Sequence, residues 1–158
     1  MEHNTSESII LLHTHCDTGN AQTFLVSDGI ELSYFTLTSD TTKFCHEPLP
    51  QVIEINYCRA GRIGWKQGNN ASVYLGPGDF CIHTMETCAH SHITLPNGYY
   101  EGMTLCIDLE RLMKEPPELL TGTGLTVKAL LEKFCKNHVF SSFAGNEITD
   151  SIFRGFYD

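Results

Sequence analysis

The sequence predicts a mostly β fold, an antiparallel barrel or sandwich followed by short α-helices. Between residues 23 and 109, short runs rich in β-branched and aromatic residues alternate with clusters of glycine, proline, asparagine and aspartate, a pattern typical of all-β domains. Beyond Leu109, apolar residues recur at helical spacing instead. With 158 residues, the chain is long enough to bury a sizeable core within one domain.

The β-rich runs define the predicted strands. Strands this close along the chain are expected to be antiparallel, because a parallel crossover needs about a dozen residues or more. The predicted strands are Thr23–Val26, Ile30–Thr38, Val52–Cys58, Arg62–Gln67, Ala71–Leu75, Phe80–Thr84, Ala89–Leu95 and Tyr99–Leu109.

Turn-forming residues separate these strands. In the stretch GPGD, Pro77 presets φ and Gly78 permits a positive φ, which predicts a type II turn. Other turns are predicted at Ser27-Asp28-Gly29, Gly68-Asn69-Asn70 and Pro96-Asn97-Gly98, and Ala60-Gly61 ends a strand.

Three helical segments are expected after the strands. The first is a single turn over Asp108–Leu112, stopped by Pro116 and Pro117. The second has Thr126 as N-cap and an apolar face of Val127, Leu130, Leu131 and Phe134. The third has Asn146 as its cap and a face of Ile148, Ile152, Phe153 and Phe156. These faces are expected to pack on the strands, on a partner subunit, or on both.

The charge balance argues against nucleic-acid binding. Acidic side chains outnumber basic ones by 19 to 10, giving a formal charge of −9, and no stretch gathers lysine and arginine into a stripe that would neutralise phosphates. A helix-turn-helix in the last two helices is also not expected. Acidic and basic residues are equally frequent from Leu125 to Asp158. The segment between the two helices is also longer than the turn of roughly 3–4 residues in that motif.

The cysteines and the hydropathy pattern favour a cytoplasmic protein. No apolar run is long enough to span a bilayer, and the chain does not open with a basic segment followed by an apolar one. The seven cysteines are odd in number and never spaced C-x-x-C, which argues against a disulfide framework or a zinc clip. They are expected to behave as small buried hydrophobes in a reducing compartment.

Histidines raise the hypothesis of a metal site. His90 and His92 form an H-x-H pair that a strand would place on one face, and His83 on the preceding strand offers a third imidazole, with Glu54 or Glu101 as a carboxylate. Three ligands with open positions suit non-haem iron or zinc. Spacing alone does not bring these residues together, so a polar, ligand-contacting role is preferred and no metal or cofactor is expected.

Other catalytic patterns are missing from the sequence. It has no G-x-S-x-G elbow, no P-loop and no G-x-G-x-x-G run, and no cysteine stands in a context that predicts a lowered thiol pKa. No catalytic residue is therefore expected, and the residues favour a binding protein over an enzyme.

The strand VIEINYC has one polar and one apolar face. Glu54 and Asn56 share a side with Cys58, whereas Ile53, Ile55 and Tyr57 lie on the other. Two alternatives remain open for the polar side, a pocket or the solvent. Trp65 is either a core plug, which is favoured, or an aromatic wall for a ligand.

The stretch VIEINYCRAGRIGWKQGNNASVYLGPGDFCIH resembles the amino-terminal cupin-like domain of AraC-type transcription regulators. The matching features are Glu54 seven residues before Gly61, a short hairpin, and L-x-P-G-D followed by an apolar strand. The later stretches YYEGMTLCIDLERL, PPELL and IFRGFYD resemble the subset whose sensor domain continues into a helical dimerisation region.

The resemblance implies a cupin-like antiparallel β-barrel, a double-stranded β-helix or jelly roll, that binds a small-molecule effector. It implies an N-terminal arm over residues 1–20, a barrel over 21–110 and a helical dimerisation region over 111–158. In the full-length regulators a carboxy-terminal domain contacts DNA, and that domain is expected to be absent from this chain. A homodimer through the C-terminal helices is expected. The effector-contacting residues are expected among Glu54, Asn56, Trp65, His83, His90 and His92.

The sequence departs from the catalytic members of the cupin group. These place His-x-His three or four residues before the glutamate, where this chain has Glu47, Pro48, Leu49 and Pro50. The departure favours sensing over metal chemistry. The alternative is a metal-dependent cupin enzyme, an isomerase or dioxygenase, that uses His83, His90, His92 and a carboxylate.

Overall fold

The computed structural model describes residues 19–38, 41–43, 48–66, 72–89, 91–136 and 140–158. All but the last two residues of the expected N-terminal arm lie outside these ranges. The same holds for His90 and for the turn predicted at residues 68–70.

The predicted fold class is confirmed: the described chain is mostly β, with antiparallel strands followed by short helices. The strands are β1 (Gly19–Ser27), β2 (Ile30–Leu37), β3 (Thr41–Lys43), β4 (Val52–Gly61), β5 (Ile63–Lys66), β6 (Ser72–Leu75), β7 (Phe80–Thr84), β8 (His92–Thr94), β9 (Tyr100–Asp108) and β10 (Ser141–Phe143). The helices are α1 (Met85–Cys88), α2 (Leu109–Lys114), α3 (Val127–Phe134) and α4 (Glu147–Arg154), with a 3₁₀ turn at Glu118–Leu120.

The described strands form two antiparallel sheets. One has the order β1-β2-β9-β4-β7-β10 and the other the order β3-β8-β5-β6. The core lies between them, because buried residues of both sheets share one cluster. The first sheet contributes Phe35, Leu37, Cys58, Cys81 and Tyr100, and the second contributes Ile63, Trp65, Leu75 and Ile93. Two facing sheets of this kind are the layers of a jelly roll.

The outer face of the six-stranded sheet is covered by the C-terminal helices. Side chains of α3 pack against Ile53, Ile82 and Leu109, as the helical spacing predicts. Phe153 of α4 stacks on Tyr57, with ring centroids 4.3 Å apart. The apolar side of β4 therefore faces helices, and its polar side faces the space between the sheets.

Local signals predicted most turns and helix caps correctly. Gly29, Gly78 and Gly98 have positive φ at the predicted turns, and the Asp79 amide donates to the Gly76 carbonyl at 3.0 Å. Thr126 caps α3, since its Oγ1 accepts from the Ala129 amide at 3.1 Å. Asn146 begins α4 with a reciprocal capping box that includes Thr149.

A glycine lies at the connection from β4 to β5, which passes from one sheet to the other. Strand β4 ends at Gly61, which has a φ of 76°, and β5 begins two residues later at Ile63. A Cβ atom at Gly61 would meet the Tyr99 carbonyl oxygen at 2.1 Å. The same carbonyl accepts a hydrogen bond from the Arg62 amide at 3.0 Å. The strand therefore passes from one sheet to the other through a position that only glycine fits.

Three predictions of secondary structure need correction. The predicted strand Ala89–Leu95 is shortened to β8, because α1 ends only at Cys88 and Ala89 lies in the turn that follows it. Strand β3 was missed. The segment 111–158, expected to be helical, also contains β10, which pairs with β7 at the edge of the large sheet.

The apolar face expected for α4 is only partly buried. Phe153 is 8% exposed, whereas Ile148 is 74% and Ile152 58% exposed. The buried residue of α4 is Phe153, and the partly buried Tyr157 in the turn after the helix also packs on the sheet. Ile148 and Ile152 lie on the neighbouring stripe of the helix, which faces away from the sheet.

Among the residues that the structure describes, no helix has the length and apolar character needed to cross a bilayer.

Phe153→Ala is expected to destabilise the protein by about 3–5 kcal/mol, because it removes a large side chain from between Tyr57 and Phe80. Ile152→Ala on the exposed stripe is the matched control and is expected to change stability by less than about 0.5 kcal/mol. Urea denaturation followed by circular dichroism measures both. Equal effects of the two substitutions would contradict the described packing of α4.

Candidate functional site

Two rows of polar and sulfur-containing side chains cross the inner face of the six-stranded sheet. They arise because alternate residues of β2, β9, β4 and β7 face inward and the antiparallel register aligns them. The first row is Glu31, Cys106, Glu54 and His83, and the second is Ser33, Thr104, Asn56 and Cys81. We call these eight residues the polar rows.

The polar rows are almost inaccessible to solvent. Glu31 is 1% exposed, His83 is fully buried, and the side chain of Glu54 retains 13% exposure. The remaining members are all buried. Burial of so many polar groups is costly unless each finds partners.

His83 is held at both ring nitrogens. Its Nδ1 lies 3.0 Å from the Thr84 carbonyl oxygen, which can only accept, so Nδ1 carries the proton. Nε2 then accepts from the Asn56 amide at 3.0 Å. Asn56 Oδ1 in turn accepts from the Thr104 hydroxyl at 2.6 Å. This chain connects β7, β4 and β9 and holds the imidazole in place.

The Glu54 carboxylate is the centre of the first row. Its Oε2 accepts from the Cys88 thiol at 2.8 Å and lies 3.5 Å from His83 Nδ1. Its Oε1 accepts from the Cys106 thiol at 3.6 Å. Cys88 belongs to α1, so this short helix places a thiol beside the Glu54 carboxylate.

The thiols around Glu54 are poor nucleophiles. Burial raises the pKa of the Cys88 and Cys106 thiols well above the usual value, and the neighbouring Glu54 carboxylate raises it further. Burial also raises the pKa of Cys81. A reactive cysteine needs the opposite shift. The site therefore offers protonated thiols that donate hydrogen bonds.

An aromatic wall closes one side of His83. The ring of Phe140 lies 3.9 Å from the His83 ring, centroid to centroid, and Trp65 lies 6.5 Å away in a T-shaped arrangement. Trp65 is 5% exposed and belongs to the core cluster between the sheets. It is a core residue, as favoured from sequence, and it also contacts the imidazole side of the polar rows.

The predicted site residues separate into two groups. The structure brings Glu54, Asn56, Trp65 and His83 to the space between the sheets. His92 is not with them: it is exposed at the start of β8, where the alternation directs Ile93 into the core instead. The metal set of His83, His90 and His92 is therefore wrong for His92, and His90 lies outside the described residues.

Sequence reasoning missed Glu31, Thr104, Cys88 and Cys106. A usable signal was present for three of them, because Glu31 and Ser33 alternate with apolar residues in IELSYF, as Thr104 and Cys106 do in MTLCID. Cys88 carried no such signal, since its position depends on α1.

The residues do not fit the ion of catalytic cupins. Catalytic cupins have a His-x-His pair just before the glutamate that corresponds to Glu54. In this chain that segment contains Leu49, which packs against Val52, Met85 and Cys106. A different donor set is present, because Glu54, His83 and Cys88 each offer an atom within 4.8 Å of the others. Carboxylate, imidazole and thiol are all groups that bind borderline-soft cations.

A concave surface lies on the side of the sheet opposite the polar rows. This pocket of about 400 Å³ lies beside α4 and is lined in part by Tyr57, Arg59, Arg154 and Tyr157. The Arg59 guanidinium stacks 4.5 Å from the Tyr157 ring and pairs with Glu101 at 2.8 Å. The pocket shares no residue with the polar rows.

No protein-family model matches this sequence, and no curated protein matches it significantly. Solved structures do resemble it. A cupin 2 domain of an XRE family transcriptional regulator from Enterobacter cloacae is 13% identical, with a TM-score of 0.46 over 57% of this chain and 96% of that chain.

Two further structures show the range of the resemblance. A cupin 2 conserved barrel domain protein from Salinispora arenicola is 15% identical, with a TM-score of 0.49 over 65% of this chain and 86% of that chain. Ectoine synthase from P. lautus is 12% identical, with a TM-score of 0.46 over 82% and 78%. At these identities the similarity concerns the fold alone and says nothing about activity.

Thr104→Val is expected to destabilise the protein by about 1–3 kcal/mol, because the buried Asn56 Oδ1 loses its donor while the side-chain shape is kept. Thr36→Val on the half-buried part of β2 is the control, with an expected change below about 0.5 kcal/mol. Chemical denaturation measures the difference. A Thr104→Val protein as stable as the wild type would show that the hydroxyl does not satisfy Asn56.

Proposed function

We propose that this chain is the effector-sensing domain of an AraC-type transcription regulator and is not an enzyme. The effector binds between the two sheets at the polar rows, and DNA is contacted by a separate domain. The observation that carries the proposal is the burial of Glu31, His83 and Asn56 on one inner face, beside the largely buried carboxylate of Glu54. The sequence resemblance to the sensor domains of these regulators supports the class of protein that we propose.

The polar rows are not needed for packing. The same inner face is apolar at its other end, where Phe35, Cys58 and Tyr100 meet the second sheet in the core cluster. Apolar residues at the polar rows would fill the space without the cost of desolvating polar groups. A fold that carries this cost on one part of its core has a reason outside stability, and ligand recognition is such a reason.

The hydrogen bonds of His83 and the protonation of the nearby thiols favour binding over catalysis. His83 is tied through both nitrogens, and the thiols beside Glu54 are protonated donors. A general base needs a free acceptor near a reacting proton, and a nucleophile needs a lowered pKa. Groups that are held in fixed hydrogen bonds serve recognition better than proton transfer.

The strands of the site provide a route for signalling. Asn56 and His83 face the effector, whereas their neighbours Tyr57 and Ile82 on the same strands contact α4 and α3. A displacement of β4 or β7 by the effector changes the surface on which the helices lie. Such coupling requires the effector to bind one helix arrangement better than the other.

We propose a homodimer through the exposed stripe of α4. Ile148 and Ile152 are exposed apolar residues four positions apart, so they form one continuous patch. The helix has Glu147 in its first turn and Arg154 in its last. An antiparallel pair about a two-fold axis brings these opposite charges together across the interface.

The effector site is tested by a thermal-shift screen with small polar metabolites and divalent metal ions, in which each metabolite is assayed with and without a chelator. A true effector raises stability by RT ln(1 + [L]/Kd), about 2.7 kcal/mol at a hundredfold excess over Kd. Glu54→Gln is expected to abolish this shift because it removes the central carboxylate of the polar rows. Arg59→Gln in the pocket beside α4 is the control and is expected to keep the shift. The reverse pattern would assign the effector to the outer pocket instead.

The dimer is tested by light scattering after size exclusion. The wild type is expected at twice the chain mass of 17.7 kDa, and an Ile148→Glu, Ile152→Glu double variant at the monomer mass, because buried like charges repel. Leu125→Glu is the matched control, since Leu125 is 41% exposed but lies outside α4. A double variant that stays dimeric would contradict the α4 interface.

A further inference from the structure

We propose that the effector of this site is a thiophilic divalent cation of the zinc type, bound by Glu54 Oε2, His83 Nδ1 and Cys88 Sγ. This inference rests on the proposed function and names its ligand class. The three residues come from β4, β7 and α1, so a bound cation links the large sheet to the helix that follows β7.

The distances suit a tetrahedral cation with modest adjustment. Zinc bonds of about 2.0 Å to nitrogen and oxygen and about 2.3 Å to sulfur place neighbouring ligand atoms roughly 3.3–3.5 Å apart. His83 Nδ1 and Glu54 Oε2 are already 3.5 Å apart. Cys88 Sγ and Glu54 Oε2, at 2.8 Å, must separate by about 0.7 Å when the cation replaces their shared proton.

The donor set selects the kind of cation. Magnesium and calcium prefer oxygen ligands throughout, whereas one sulfur, one nitrogen and one oxygen form a borderline set that suits zinc. Coordination breaks the Cys88 S–H bond, releases that proton to solvent and forms the sulfur–metal bond. No oxidant or reductant takes part.

The hydrogen-bond chain behind His83 can adapt to a cation. When Nδ1 becomes a ligand, the ring proton moves to Nε2. Asn56 then reverses its amide, so that Oδ1 accepts from Nε2 and Nδ2 donates to the Thr104 hydroxyl. The same three side chains thus support either tautomer. A partner on the second nitrogen is the usual support of a metal-binding histidine.

The charges around the site favour a cation. Glu31 and Glu54 both belong to the first polar row, and none of the eight residues of the polar rows is a lysine or an arginine. At the end of α1 the Ser91 amide donates to the Cys88 carbonyl, and among the described residues the buried Ser91 hydroxyl has no hydrogen-bond partner. A cation with a bound water would supply both positive charge and a polar partner at this end.

The test is a Co²⁺ titration of the full chain, purified without chelator and with its thiols reduced, followed by displacement with Zn²⁺. The wild type is expected to bind one Co²⁺ with a sulfur-to-cobalt charge-transfer band in the near ultraviolet. Cys88→Ser is expected to lose this band and to weaken binding more than about a hundredfold, beyond the loss typical of a supporting residue. Cys135→Ser, at a half-buried cysteine that caps α3 on the opposite face of the large sheet, is the control and is expected to keep both.

Glu54→Gln provides a second variant that keeps all sulfur atoms. It is expected to weaken Co²⁺ binding similarly while far-ultraviolet circular dichroism shows an unchanged fold. Binding with no charge-transfer band, or binding unchanged in Cys88→Ser, would show an adventitious histidine site and overturn the inference. If the wild type binds no cation but a library compound still stabilises it through Glu54, the sensing function stands and the cation does not.

Discussion

The antiparallel register of β9 between β2 and β4 determines what the interior of this protein contains. It sets Cys106 between Glu31 and Glu54, and Thr104 between Ser33 and Asn56. A slip of β9 by one residue would turn Thr104 and Cys106 to the helix-covered face and bring Leu105 and Ile107 inward. The polar interior therefore depends on this alignment of backbone hydrogen bonds, and the pairing of β4 with β7 then sets Glu54 beside His83.

The opposite face of the same strands explains why the register is stable. Ile53, Ile55 and Tyr57 alternate with the polar positions of β4 and pack under α3 and α4. Burial of this apolar face is the favourable contribution that offsets the desolvation of the polar one. Structural stability and recognition are thus divided between the two sides of one sheet, and β4 and β7 belong to both.

Much of this fold is predictable because its signals are local. The turn glycines, the cap at Thr126 and the alternation around Glu54 each act over a few residues, and the structure has them as expected. The pairing of Cys106 and Cys88 with Glu54 is not local, since it depends on strand register and on α1. For the same reason the H-x-H pattern was misleading: spacing places His92 on a strand but does not say which side of the second sheet it faces.

The glycine between β4 and β5 has a mechanical meaning. Because the Gly61 backbone presses on Tyr99 and leads within two residues into β5, the chain that carries Glu54 also carries Trp65 into the facing layer. A change in the Gly61 backbone would therefore alter where Trp65 lies relative to Glu54. This crossing is one of several between the two sheets, and it is the one that joins the strand of Glu54 directly to the strand of Trp65.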